Sequence, residues 1–416
     1  MMSRSARLVV LVASVANFVV IADATIVIIA LPSMASLGFT ATTLPWVINA
    51  YAFVFGGGLL LGGVVADRYG PVRPFVAGML IFAAGSVVCG VAGSVEPLLV
   101  GRAIQGAGGA LCCPAALALA TRSGRSQALA LWSASGAAAV AVAPVLGGAL
   151  TSVLGWPSVF WLPALVCVGA GVAALRVIPR VAQVAPEPAS ATADGEPGIV
   201  ARIVAACGML ALGSAAVVGV SYVGTVWLQH TVGLSPAAAG LALLPLSAGI
   251  VAGSAIAPRL IQRRGVRWVA VSGLALAMLG TIALLPLPPL SGFVVALAVL
   301  GTGFGLQSVP VSLVATKVPA RPGIACAAYQ TAGQLGAGIG LVSFTALGAW
   351  QVARAGVGPN AGHQVVVGAA AVALMLALAL AHVGWQTRGL AQATLPRTPP
   401  ALGTLAAPVA STVDNS

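Results

Sequence analysis

The sequence predicts an all-α polytopic membrane protein whose twelve transmembrane helices form two six-helix bundles. Three observations predict it. Of 416 residues, 59% are hydrophobic and only 6% are charged, too few charges to cover a water-soluble domain of this length. The chain divides into twelve apolar stretches, each with about 20 or more mostly apolar residues, enough to cross a hydrocarbon core of about 30 Å as helix. The cations sort with that division: of nineteen Lys and Arg residues, seventeen fall in every second connector.

The stretches run over 8–31, 45–66, 74–94, 98–120, 127–151, 157–175, 201–227, 237–258, 267–287, 290–314, 324–350 and 364–386. The first follows Arg4 and Arg7. Its apolar run is too long for a signal-peptide core and is interrupted by Asp23, so it reads as a retained span. The connector after span 2 carries Arg68 and Arg73, that after span 4 Arg122 and Arg125, and that after span 6 Arg176 and Arg180. Residues 179–200, rich in Pro and Ala, hold Glu187, Asp194 and Glu196, three of the seven acidic residues. They read as a solvated linker between the halves. Arg202 opens span 7, Arg259, Arg263, Arg264 and Arg267 join spans 8 and 9, and Lys317 and Arg321 join spans 10 and 11. Arg388 and Arg397 lie in a Pro-containing tail, 388–416, expected to be disordered. All seventeen share the side of the amino terminus; the other side keeps Arg354, and Arg102 lies inside a span. Basic residues near span ends stay cytoplasmic, so both termini are expected in the cytoplasm. The expected units are a bundle over 1–178, the linker, a bundle over 201–387 and the tail.

The net charge of +12 does not indicate a nucleic-acid partner, because the cations are spread over many short connectors rather than gathered on one face. The six cysteines, at 89, 112, 113, 167, 207 and 326, lie inside spans without zinc-ligand spacing and read as small packing residues. The three histidines are scattered. No nucleophile–base pair, metal cluster or phosphate-binding loop is visible, so neither an enzyme nor a cofactor is expected.

The halves look related. GGVVADRYGPVR (Gly62–Arg73) follows span 2, and APRLIQRRGVR (Ala257–Arg267) follows span 8; each sets an Arg and then a Gly in a very short turn. Paired repeats with a site between them near the midplane are a transporter architecture.

A few polar residues interrupt the apolar spans. Asp23 is the one acidic residue well inside a span, beyond the centre of span 1. A carboxylate there costs about 2.5–3.5 kcal/mol even on an insertion scale, so it must face a cavity, pair or be protonated. Arg102, in span 4 at comparable depth, needs a partner. Asp23 is the nearest candidate, Glu96 at the outer loop is a rival, and a guanidinium that snorkels to the interface is the structural alternative. Gln105 shares its helix face, with Gly106 and Gly109 beside them. Asp67, Arg68, Gly70 and Arg73 form the turn after span 2, where Asp67 can pair with Arg73 or with the positive end of a neighbouring helix and act as a latch in one conformation. Pro144, Gly147 and Gly148 in span 5 free a carbonyl and permit close helix approach. Gln330 and Gln334 on span 11, Gln307 on span 10, and Tyr222, Trp227 and Gln229 on span 7 are, with Gln105, candidate contacts for an aromatic, weakly polar solute, or interhelical glue.

These segments resemble a known family. DATIVIIALP from Asp23 and WVINAY from Trp46 are similar to the first-span signature of proton-coupled drug exporters and its sequel. GGVVADRYGPVR is similar to their loop 2–3 motif, and LVGRAIQGAGGA (Leu99–Ala110) to their span 4 motif. APVLGG from Ala143 with GWPSVFW, and WLQHTVGLSPAAAGLALLP from Trp227, also resemble that branch. The chain is therefore identified, over about 8–386, as resembling the drug:proton antiporter branch of the major facilitator superfamily in twelve-span form. Ile28 stands where the signature often has Asn, Pro71 and Val72 replace basic residues, and Ala143 precedes Pro144 where Gly is usual.

The resemblance implies proton coupling at Asp23 and Arg102, a gate at Asp67 and Arg73, and antiport direction set by Pro144 with its glycines. It implies export of a small hydrophobic compound from the bacterial cytoplasmic membrane, driven by the proton gradient, by a monomer. A proton-coupled importer of a small organic solute, or a membrane sensor that does not transport, are the competing expectations; an importer usually carries more charged or amide groups in its cavity.

Overall fold

A computed structural model describes residues 4–40, 43–121, 126–177, 199–316, 322–355 and 359–386. Among these residues every regular element is helical: α1 (Arg4–Met34), α2 (Trp46–Tyr69), α3 (Val72–Gly90), α4 (Val95–Thr121), α5 (Ser126–Leu154), α6 (Ser158–Val177), α7 (Ile199–Val226), α8 (Pro236–Arg264), α9 (Val266–Ile282), α10 (Leu290–Thr316), α11 (Pro322–Ala355) and α12 (Pro359–Gln386). A short 3-10 turn, Ala35–Leu37, follows α1, and a wide π turn, Trp227–Thr231, follows α7. Most of the expected linker and the tail from 388 lie outside the described residues; α7 begins at Ile199, inside the expected linker.

Among the described residues eleven helices are long and apolar enough to cross a membrane; α9, the twelfth, is shorter. The span expected over 267–287 ends as helix at Ile282. Pro286, Pro288 and Pro289 supply no backbone N–H and push the residues before them out of helical conformation. Leu287, caught between two of them, takes a positive φ of 48°.

In lipid, helices gain little from burying apolar faces against one another and associate through close packing at small residues. Here that packing repeats. A Cβ on Gly78 of α3 would meet Gly108 O and Cys112 N of α4; one on Gly273 of α9 would meet Gly303 O and Gln307 N of α10. Gly106 faces Tyr51 O as Gly301 faces Leu246 O. Ser86 donates to Phe82 O at 2.9 Å as Thr281 donates to Ala277 O at 2.9 Å. One constant sequence offset relates all these pairs, and Gly70 and Gly265 obey it too, with φ/ψ of 75°/156° and 85°/161°. Helices α2–α4 and α8–α10 are thus two copies of one packing unit.

The apolar core follows the same division. One cluster is built from α1–α6, including Phe75, Met79 and Phe82. Another is built from α7–α12 with Ile29 of α1. A third joins the halves, setting Val27, Ile28 and Leu31 with Tyr222, Val223, Leu341 and Val366.

That joint runs from the end of the molecule away from the start of α1 to the middle of α2 at Gly56. Gln229 Nε2 donates to Ile29 O at 2.9 Å, Thr331 Oγ1 to Gly56 O at 2.8 Å, and Ala237 N to Ser152 Oγ at 2.9 Å. Gly148 of α5 approaches Pro236 O of α8, and Gly240 of α8 approaches Pro144 O of α5, so closely that a Cβ on either would overlap the facing carbonyl. The halves are closed against each other there.

Candidate functional site

Two glycines bring the pieces of a charged cluster together. A Cβ on Gly85 of α3 would stand 2.6 Å from Gln105 N, so α3 presses on α4 and carries Ser86 to Gln105. A Cβ on Gly106 would stand 2.7 Å from Tyr51 O, so α2 presses on the same helix and brings its Val47 carbonyl and Tyr51 ring to Arg102. Asp23 arrives from α1.

The Arg102 guanidinium is fully buried. Its Nη1 donates to Asp23 Oδ2 at 2.5 Å and to Gln105 Oε1 at 2.8 Å, and its Nε donates to Val47 O at 2.9 Å. Gln105 Nε2 donates to Asp23 Oδ1 at 3.2 Å and to Ser86 Oγ at 2.7 Å. The Arg102 Cζ lies 4.5 Å from the Tyr51 ring centroid and 5.9 Å from that of Phe160, positions where the ring quadrupoles attract a cation. Asp23, Arg102, Gln105 and Ser86 all have 0% exposure. Both carboxylate oxygens are occupied, while Arg102 Nη2 has no partner among the described residues.

Asp23–Arg102 is the one ion pair among the described residues. Glu96, the rival partner, is exposed in the first turn of α4, and Arg102 does not reach an interface. Stripped of water, such a pair survives only when its remaining hydrogen bonds are met by neighbours; Gln105 and the Val47 carbonyl meet most of them. The arrangement can hold a charge separation away from water and, if opened, present a carboxylate to one side.

The other sequence candidates are placed differently. Asp67, Arg68 and Arg73 are exposed around Gly70, and no ion pair joins Asp67 to Arg73. Pro144, Gly147 and Gly148 form the contact of α5 with its neighbours: Gly147 faces Ile26 of α1 and Gly148 faces α8. The seven candidate solute contacts do not gather. Gln105 lies in the charge cluster. Tyr222 is buried at the joint. Trp227 packs at a tilt of 35° against Phe293 with centroids 5.0 Å apart, and Gln229 is tied to the Ile29 carbonyl. Gln334 packs on Gly56 of α2, and Gln330 is exposed. Gln307 is buried between Gly213 of α7 and Gly273 of α9, with neither amide atom bonded among the described residues.

Sequence reasoning missed Tyr51, Ser86 and Phe160 in the cluster. It also missed Asn49, whose fully buried amide faces Gly338 of α11 and has no hydrogen-bond partner among the described residues. Tyr51 and Asn49 sit in WVINAY, a segment noted for its resemblance but not for its side chains.

The profile of the Major Facilitator Superfamily matches residues 13–341. A puromycin resistance protein of Streptomyces alboniger is 32% identical, over 88% of this chain and 89% of that protein. The cephamycin export protein of Amycolatopsis lactamdurans is 32% identical, over 41% of this chain and 35% of that protein. A multidrug resistance protein of Mycobacterium tuberculosis (strain CDC 1551 / Oshkosh) is 26% identical, over 84% and 77%. Among solved structures, a bacterial homologue of the human lysosomal transporter Spinster, inward-facing and unoccupied, superposes with a TM-score of 0.74 at 17% identity, covering 93% of this chain and 98% of that one. The POT family transporter PepTSo gives 0.72 at 13% identity, over 93% and 99%. At these identities the two structures speak for the fold.

Proposed function

Because the chain belongs to the Major Facilitator Superfamily, and is therefore a multi-pass membrane transporter rather than an enzyme, we propose that it exports a hydrophobic drug- or antibiotic-like compound in exchange for protons. The observation that carries the reading is the Asp23–Arg102 pair, sealed from water inside the first bundle and unmatched by any other ion pair among the described residues. The resistance and export proteins among its relatives support the substrate class.

The cation asymmetry supports a reading with both termini in the cytoplasm and the protein in a bacterial plasma membrane. On that reading the closed joint faces outward, and the solute site is shut off from the outside. Here Asp23 has given up its proton and is held by Arg102. A hydrophobic solute enters between the halves from the cytoplasm. Rocking about the joint parts Pro144 and Gly148 of α5 from α8 and loosens Ile26 of α1 from Gly147, frees Asp23 from Arg102, and lets the carboxylate take a proton from outside as the solute leaves. The protonated form returns, and re-pairing with Arg102 expels the proton inward. Asp67 and Arg73, which form no ion pair with each other in this state, latch the opposite one. Each proton moving down about 100 mV supplies about 2.3 kcal/mol, enough for a gradient of about fifty-fold, so no bound nucleotide or cofactor is required. A single chain suffices for this cycle.

The test is drug-induced proton release from everted vesicles. Asp23→Asn is expected to abolish release while drug counterflow, which needs no proton, continues. Undiminished release would remove Asp23 from the coupling.

A further inference from the structure

The geometry points to a binding site for a bilayer phospholipid in the first half, its acyl chain in a groove between α5 and α6 and its phosphate at Arg7. The groove encloses about 450 Å³. α1 forms its floor, where Leu11, Val15 and Phe18 recur at helical spacing; Ala138 and Leu146 of α5 form one wall and Leu162 of α6 the other. It runs from Leu11 to Ile26 along α1, a distance of about 22 Å at 1.5 Å per residue. Almost all of its wall is carbon. Leu11 is 57% exposed at one end, so the groove opens to the surface that a bilayer covers.

Two observations select the occupant. The solvent on this face is hydrocarbon, and a long, narrow, carbon-lined groove open to it suits an extended chain. Arg7 lies one turn beyond Leu11 on the same helix face and is exposed, where a lipid phosphate would stand.

The groove is not a consequence of the fold alone. In the second half the corresponding helices, α11 and α12, close directly on each other: a Cβ on Gly348 would stand 2.9 Å from Gly362 O, and Val366 packs on the same glycine. No such glycine pair joins α5 and α6 among the described residues. The floor also matters to the charge cluster, since Ala22 and Ile26, which flank Asp23, line the groove, and Ile26 is the residue that Gly147 touches. A chain lying there braces α1 at the turn that carries Asp23.

The experiment uses the full chain in nanodiscs of phosphatidylglycerol carrying a diazirine in mid-chain, irradiated and mapped by peptide mass spectrometry. Adducts are expected on 11–26 and 135–146. Val15→Trp, which fills the groove from the floor, and Ala138→Phe, which fills it from the wall, are each expected to lower them about tenfold, the loss of about 1.4 kcal/mol of binding, with labelling of the α9–α10 surface unchanged. Arg7→Gln is expected to remove the preference for phosphatidylglycerol over diacylglycerol carrying the same chain. Either filling variant that runs as a folded species on gel filtration decides the matter. Adducts spread evenly over all lipid-facing helices, undiminished labelling in a folded filling variant, or displacement of the label by a transported drug but not by unlabelled phospholipid would each overturn the assignment.

Discussion

Leu297 of α10 occupies in the second packing unit the place that Arg102 of α4 holds in the first. The offset that carries Gly106 to Gly301 carries Arg102 to Leu297, and both side chains are fully buried. Gln105 likewise corresponds to Leu300, also at 0% exposure. The fold therefore accepts an all-apolar filling at this position, and the ionic filling of the first half is not needed to hold the helices together. Arg102→Leu alone strands the Asp23 carboxylate and is expected to cost about 3–5 kcal/mol. The double variant Arg102→Leu, Asp23→Leu is expected to recover most of that stability while transport stays absent. Thermal unfolding in detergent measures both; a single variant no less stable than the double would defeat the comparison.

Gly70 and Gly265 make one prediction together. Both turns use positive φ with ψ near 160°, a region essentially closed to side chains. Gly70→Ala and Gly265→Ala are expected to destabilise by similar amounts, about 1–3 kcal/mol each. If only Gly70→Ala lowered transport, with equal losses of stability, the loop beside Asp67 and Arg73 would have a gating role that its counterpart lacks.

Gly148 and Gly240 set the closure of the joint. A Cβ at Gly148 would collide with Pro236 O, and one at Gly240 with Pro144 O; backbone carbonyls cannot turn aside as a flexible side chain can. Gly148→Val and Gly240→Val are expected to hold α5 and α8 apart, to lengthen the distance between spin labels at Ser152 and Ala237, and to slow transport at least about tenfold, equivalent to about 1.4 kcal/mol on the rate-limiting step. An unchanged distance distribution would show that the joint yields elsewhere.

What could be read in the sequence, and what could not, follows from contrast. In apolar spans a lone Asp or Arg is conspicuous, so Asp23 and Arg102 stood out, and their matching depth pointed to each other. Ser86 and Tyr51 are ordinary residues in a membrane helix. Their part depends on how closely α3 and α2 approach at Gly85 and Gly106, a relation between helices that no single span displays. Gln105 was placed on the right helix face beside Arg102, but its amide is taken up by Asp23, Arg102 and Ser86, so a reading by polarity alone set it among solute contacts. The end of α9 follows from Pro286, Pro288 and Pro289, but Leu285 and Leu287 beside them continue the apolar run, so hydropathy alone carries the span past the helix.

Asn49 supplies the last prediction. Its amide is fully buried in α2, facing Gly338 of α11 across the joint, and neither polar atom has a partner among the described residues. An unbonded buried amide costs about 1–3 kcal/mol, and that cost is relieved when the joint opens and water reaches it. The residue therefore raises the energy of the closed joint relative to the open one. Asn49→Leu removes the penalty from one state only. The variant is expected to melt at a higher temperature in detergent and to transport more slowly, because a joint stabilised by about 1–3 kcal/mol opens less often. The two effects must appear together: a variant that gains stability and transports at the original rate would mean that opening of this joint does not limit the cycle, and one that loses stability would mean that the amide is bonded in the protein as it stands in the membrane.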